Sequence, residues 1–262
     1  MIVLKHVSKV YSGRAVINDV SLTIHPGELV CIAGPSGAGK STLLNLISGT
    51  SRATAGSVLF DGVDLNAVPP IALRIMKKRI GVVFQDYKLF PARTVAENIA
   101  FPLEVCGLPE QIIREHVNKI IEKFQLKKVA NSFPMRLSGG ELARTAIARA
   151  VIHRPYVLLA DEPTGNLDPV QSAKTLRLFK KINEEGTTVI LATHDMELVK
   201  KLKGRIVLLD DGKKVMDRRP KPKKGGDTIP EAPAEEETAV PNVKPEAREG
   251  KRRIRITALH SS

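Results

Sequence analysis

The 262-residue chain has no tryptophan, and aromatic residues make up only 4% of it. That leaves few platforms on which unpaired bases could stack, which argues against a reader of single-stranded nucleic acid. It has two cysteines, Cys31 and Cys106, far apart and in no CxxC pair. A reduced, cytoplasmic chain is the simplest expectation, with Cys31 a small buried hydrophobe in the run LVCIAG. No stretch reaches the ~18 apolar residues of a spanning helix, so this chain is not expected to cross a membrane alone. The start, MIVLKHVSKVYSG, turns polar too early for a secretory signal.

What is present is an ordinary globular balance, 42% hydrophobic and 26% charged, in a chain long enough to bury a sizeable core. The charge is one-sided: 41 Lys+Arg against 28 Asp+Glu, a net +13. Such an excess suits general attraction to anions, nucleic acid or an anionic membrane face, and does not choose among them. Residues 218–262 hold 11 basic and 7 acidic residues, so they supply +4 and the body +9. Their blocks RRPKPKKGG, PEAPAEEE and KRRIRI are expected to form a disordered, solvated tail, with residues 251–255 a possible membrane or partner contact.

Residues 1–217 alternate between strand and helix patterns. IVLKHVSKVY and the segment from Ala15 read as strands, with a turn at Pro26-Gly27 before the apolar run 29–33. A helix is expected over about 40–48, stopped by Gly49. RIGVVFQ, YVLLAD and TTVILATH read as strands buried on both faces, and GRIVLLDDGKKVMD as a hairpin turning at Asp211-Gly212. Strand–helix alternation implies a mainly parallel sheet. The character changes over about 86–150, read as an inserted helical subdomain. Thr94 and Glu97 have capping-box spacing, Pro102 is expected to limit or kink the helix that follows, and Ile112, Ile113, Val117, Ile120, Ile121 and Phe124 form one apolar stripe.

The chemistry begins with GPSGAGKST: Gly34, Pro35, Ser36, Gly37, Ala38, Gly39, Lys40, Ser41 and Thr42. It matches G-x-x-x-x-G-K-[ST], follows a buried strand and opens a helix. Glycines let successive backbone N–H groups turn toward one phosphate, and the helix N-terminus adds a positive dipole end. Lys40 suits the β- and γ-phosphates and Ser41 a Mg²⁺ ion. Asp161 ends an apolar strand, at the sheet edge where α/β folds bind ligands, and is read as the Mg²⁺ partner. Glu162 is placed to orient or deprotonate water. His194 and Gln85, also at strand ends, are weaker signals: a lone histidine is usually structural, and an uncharged amide can ligate Mg²⁺ or hold water.

LSGGE, with Ser138 and Glu141 at capping-box spacing, puts Gly139 and Gly140 in the first turn of a helix, where glycine is costly. The cost makes sense if bare N–H groups must face an anion, and since the chain already has one phosphate loop, a second site suggests docking of another copy's nucleotide.

The phosphate loop, Gln85, LSGGE, Asp161-Glu162, GNLD ending at Asp168, and His194 together resemble the ABC-type ATPases over about residues 1–217. The resemblance implies an α/β P-loop NTPase core with a mainly parallel sheet, an N-terminal antiparallel β subdomain and an inserted α-helical subdomain. It implies ATP and Mg²⁺, ATP hydrolysis, and an ATP-dependent head-to-tail homodimer in which the Ser138 segment closes over the other subunit's ATP. It implies Tyr11 against adenine, Asp168 at the dimer seam, and residues 85–98 transmitting closure to a transmembrane permease-like partner at the cytoplasmic face of the membrane. FQDYKLFPARTVAENIAFPLEV and LLADEPTGNLDP resemble the cell-division branch of the family, with lipoprotein-release and macrolide-export branches as the alternative. Leu142-Ala143 departs from the polar pair usual there. A nucleic-acid-associated ATPase is disfavoured: Lys40 and Ser138 lie only 98 residues apart with no sustained heptads between, and the chain has one ATPase unit.

Overall fold

Burial alternates along Ile2–Tyr11 (β1) and Arg14–Ile24 (β2), the period of strands with one face on a core. They pair with Ala55–Phe60 (β4) and Val63–Asp64 (β5) in an antiparallel sheet ordered β2-β1-β4-β5. The computed structural model describes residues 1–220; the tail expectation falls almost wholly on residues outside these.

The second sheet is made of Leu29–Ala33 (β3), Ile80–Val83 (β6), Val157–Asp161 (β7), Thr188–Thr193 (β8), Arg205–Asp210 (β9) and Lys213–Arg218 (β10), in the order β10-β9-β3-β8-β7-β6. Every neighbouring pair is parallel except the β9-β10 hairpin. The central strands are apolar throughout because both faces are covered. Cys31, Ala33, Leu158, Ala160, Val189 and Leu191 face one core, while Val30, Ile32, Leu159, Ile190, Ala192 and Val207 face the other. Burial pushes the Cys31 thiol up to about 12, so it stays an inert hydrophobe, as expected.

The second core is closed by Lys40–Ile47 (α1) and the antiparallel sheet. The first is closed by Val95–Val105 (α3), Glu110–Lys123 (α4), Gly139–Val151 (α5), Pro169–Glu184 (α6) and Met196–Leu202 (α7). The helical insert therefore has no separate core; it shares one with the sheet. Pro70–Lys77 (α2) buries no residue.

Pro102 lies inside α3, which runs on to Val105 with Ile99 and Leu103 buried on either side of the proline. One expectation is corrected. Ile112 is 41% exposed and leaves the α4 stripe, which buries Val117, Ile121 and then Phe124.

Candidate functional site

The phosphate loop joins β3 to α1, and its shape depends on glycine at two points. Gly39, the residue before α1, has φ 95°, and a Cβ there would lie 2.6 Å from Val16 O and 2.7 Å from Ile17 Cδ1. At Gly34, φ 154°, a Cβ would collide with the Leu209 carbonyl. The Ala38 N–H folds back onto Pro35 O at 3.2 Å. Among the described residues, the N–H groups of Gly39, Lys40, Ser41 and Thr42 meet no protein acceptor. Successive free donors at a helix N-terminus form an anion cradle.

Strand order brings the remaining groups to this edge. β8 lies between β3 and β7, with Ala33 opposite Thr193 and Ala192 opposite Asp161, so the phosphate loop, His194 and the Asp161-Glu162 pair all leave the same ends of adjacent strands. Lys40 is 5% exposed; its Nζ donates to Gly34 O at 3.0 Å and Pro35 O at 2.9 Å, and lies 3.6 Å from Glu162 Oε1. His194 Nδ1 lies 2.6 Å from the other Glu162 oxygen, Oε2. One carboxylate thus spans the loop lysine and the strand-end histidine. Glu162 sits at φ 45°, a left-handed conformation that is costly for a side-chain-bearing residue and is held by its N–H to Ala192 O at 2.9 Å. A cleft of about 640 Å³ adjoins Glu162 and His194.

Burial raises the Asp161 carboxyl above its usual range; a hydrogen bond from Ser41 opposes this, and the Glu162 charge adds to it. Asp161 Oδ1 is buried with no hydrogen-bond partner. Among the described residues no three His, Cys, Asp or Glu side chains converge on a metal position. The orphaned oxygen and the Ser41 hydroxyl instead suit a hard cation that draws its other ligands from phosphate and water, the habit of Mg²⁺.

Gln85 follows β6, beyond β7, and is exposed. The turn after it is held by two residues that sequence reasoning missed. Arg149 of α5 donates from Nη1 to Lys88 O and from Nη2 to Tyr87 O, each at 2.7 Å, and Tyr87 and Lys88 are both left-handed (φ 57° and 43°). Fully buried Asn98 donates to the carbonyls of Phe90, Arg93 and Thr94 and accepts the Phe90 N–H at 2.8 Å. An asparagine inside an apolar helix pattern was the available signal for the second; nothing in the sequence marks the first.

Ser138, Gly139, Gly140, Asp168 and Tyr11 are not brought to the phosphate loop by any hydrogen bond. Ser138 Oγ accepts the Glu141 N–H at 3.4 Å, and the Glu141 carboxylate accepts the Ser138 N–H at 2.9 Å, the expected capping box. Hydrogen bonds from the Ser138 hydroxyl and backbone hold the Glu141 carboxyl below its ordinary range. Among the described residues the Gly139 and Gly140 N–H groups meet no protein acceptor, so α5 begins with a second bare cradle. Asp168 caps α6, accepting the Val170 and Gln171 N–H groups at 2.9 Å each. Tyr11, 45% exposed at the end of β1, bonds Ser51 Oγ at 3.2 Å and carries Lys9 Nζ 4.8 Å above its ring.

The model of the ABC transporter family matches residues 17–165. The cell-division ATP-binding protein FtsE of Bacillus subtilis is 45% identical over 218 residues, covering 83% of this chain and 96% of the relative. FtsE of Mycobacterium tuberculosis is 43% identical over 221 residues, covering 84% and 96%. Among solved structures, the ATP-binding cassette MJ0796, dimeric and bound to ADP and Pi in a post-hydrolysis state, superposes with a TM-score of 0.79 at 35% identity, covering 85% of this chain and all of that one.

Proposed function

The chain belongs to the ABC transporter family as an ATP-binding, ATP-hydrolysing cassette homologous to FtsE, and from that premise we propose that it energises a transmembrane, FtsX-like permease in bacterial cell division. The observation that carries the working form is the presence of two separate cradles of free N–H groups, at Gly39 to Thr42 and at Gly139-Gly140, with no hydrogen bond joining them. In this reading the two cradles serve one nucleotide from two chains set head to tail, each binding ATP on its own phosphate loop and closing Ser138, Gly139 and Gly140 over the other's γ-phosphate. The cassette MJ0796, dimeric with ADP and Pi bound, supports a dimeric working form.

In this reading Lys40 leaves Glu162 and the loop carbonyls for the β- and γ-phosphate oxygens. That releases Glu162 to accept a proton from the attacking water, while His194 fixes the carboxylate and Asp168 steadies the seam. The water oxygen bonds to the γ-phosphorus as the bridge to the β-phosphate breaks, and catalysis is positioning and charge stabilisation. Mg²⁺, held by Ser41, Asp161 and Gln85, would neutralise charge on the phosphate oxygens. Tyr11 would pack on the adenine.

Among the described residues no helix is long and apolar enough to cross a membrane, so the cytoplasmic membrane location proposed here comes through the partner, docked on residues 85–98. Co-expression with an FtsX-like permease tests this: the two should co-purify in detergent and the Lys40→Ala chain should still bind the permease without supporting turnover. A permease that neither binds this chain nor alters its ATP hydrolysis would refute the cell-division assignment.

A further inference from the structure

The segments ending in Gly140 and in Asp168 touch each other, and the contact is made through glycine. A Cβ on Gly139 would lie 3.2 Å from Leu167 Cδ2 and 3.5 Å from Asn166 O. A Cβ on Gly140 would lie 2.5 Å from Gln171 Oε1 and 3.3 Å from Arg144 Nη1. A Cβ at either glycine would crowd the Leu167 or Gln171 side chain, so this turn packs closely on the segment from Asn166 to Gln171. Gln171 stands in the first turn of α6, its own N–H tied to Asp168 Oδ1 at 2.9 Å. Its Oε1 is buried with no hydrogen-bond partner, and so is the neighbouring Arg144 Nε.

Two buried polar atoms without partners, on side chains that both border Gly140, are an expensive arrangement in a single subunit. A side chain such as methionine would fill the same space without the desolvated acceptor. We propose that Gln171 is a positioning residue for the shared reaction centre: it locks the Gly139-Gly140 turn to the Asp168 cap, so that both segments reach the opposing subunit in one register. Its acceptor is satisfied only when that turn closes on nucleotide. The residue touches neither ATP nor water and acts through Gly140. The inference rests on the head-to-tail dimer proposed above.

The reasoning separates the subunit from the assembly. Gln171→Met removes an orphaned acceptor, so the nucleotide-free subunit keeps its melting temperature or gains. The ATP-bound dimer loses the interaction twice, once per seam, and should weaken about tenfold. A merely structural role would move both quantities in the same direction.

The test uses the Glu162→Gln chain, which holds uncleaved MgATP, with and without Gln171→Met. Dimerisation is followed by sedimentation velocity across concentrations, single-subunit ATP binding by a fluorescent nucleotide, and folding by thermal melting. The expected result is an unchanged or higher Tm, unchanged single-subunit binding and a dimer about tenfold weaker, with Gln171→Ala weakening it at least as much. Equal dimer affinity with and without Gln171→Met overturns the inference and leaves the dimer intact. Failure of the Glu162→Gln parent to dimerise with MgATP at any concentration overturns the dimer itself, and this inference with it.

Discussion

Replacing Glu162 by glutamine probes the group on which the site converges. Lys40 Nζ lies 3.6 Å from Glu162 Oε1, and the two side chains are 5% and 12% exposed. At an effective dielectric near 20, attraction at that distance is about 4–5 kcal/mol, largely offset by the cost of keeping both charges from water. A net preference of about 1 kcal/mol would make Glu162 compete with the triphosphate for Lys40 by roughly fivefold. Glutamine keeps the size and a hydrogen bond toward His194 but neither attracts Lys40 strongly nor takes a proton from water. Two opposite effects are therefore expected: ATP affinity equal to or up to roughly fivefold above the parent, and single-turnover hydrolysis slower by about 10²–10⁴-fold. Titration with a fluorescent nucleotide gives the first and quenched-flow phosphate release the second. Hydrolysis at the parental rate would remove Glu162 from the chemistry, and a large fall in ATP affinity would show that the ion pair does not restrain Lys40.

Asp161→Asn should raise the melting temperature of the nucleotide-free chain at neutral pH and abolish the extra stability given by MgATP over ATP alone. The sign follows from burial, which lifts the folded-state pKa of Asp161 above its ordinary value: the folded chain binds the proton more tightly, so stability is fullest below the unfolded pKa and is lost as pH rises through the folded one. A stability gain of Asp161→Asn over the parent that shrinks as pH rises across that window would contradict it. Asp168→Ala removes an acceptor for two N–H groups and should cost about 1 kcal/mol of stability, whereas Asp168→Asn retains the cap; if both lose turnover while only the first loses stability, the carboxylate acts at the seam. Arg149→Met releases the Tyr87 and Lys88 carbonyls and should cost about 2 kcal/mol, a Tm fall of about 4–8 °C. It should leave single-subunit ATP binding intact but blunt any stimulation of turnover by the membrane partner, measured in proteoliposomes.

Groups tied to a repeating pattern were legible in the sequence. The phosphate loop, the buried strands ending in Asp161 and His194, and both capping boxes follow from local spacing, and the structure places the first three at one sheet edge because β8 separates β3 from β7. What local spacing does not carry is long-range partnership. The Arg149 fork spans 62 residues to Tyr87, and the Gly140–Gln171 contact joins two helices whose patterns are each complete without it. Helices α7 and α2 are short: α7 buries Leu198, Val199 and Leu202, and α2 only half-buries Leu73 and Met76, so neither repeats its apolar period far enough to be read. That α3 runs past Pro102 to Val105 is likewise beyond local propensity, since buried Ile99 and Leu103 anchor it on both sides of the proline.

Mixing two disabled chains tests the shared reaction centre most directly. A Lys40→Ala chain lacks a working phosphate loop and a Ser138→Arg chain lacks a working second cradle, so each alone should be inactive. In a head-to-tail heterodimer one site joins the intact loop of one chain to the intact Ser138 of the other, and an equal mixture should recover about a quarter of the parental rate. If the mixture stays as inactive as its components while heterodimers form, each chain completes its own site and the account is wrong.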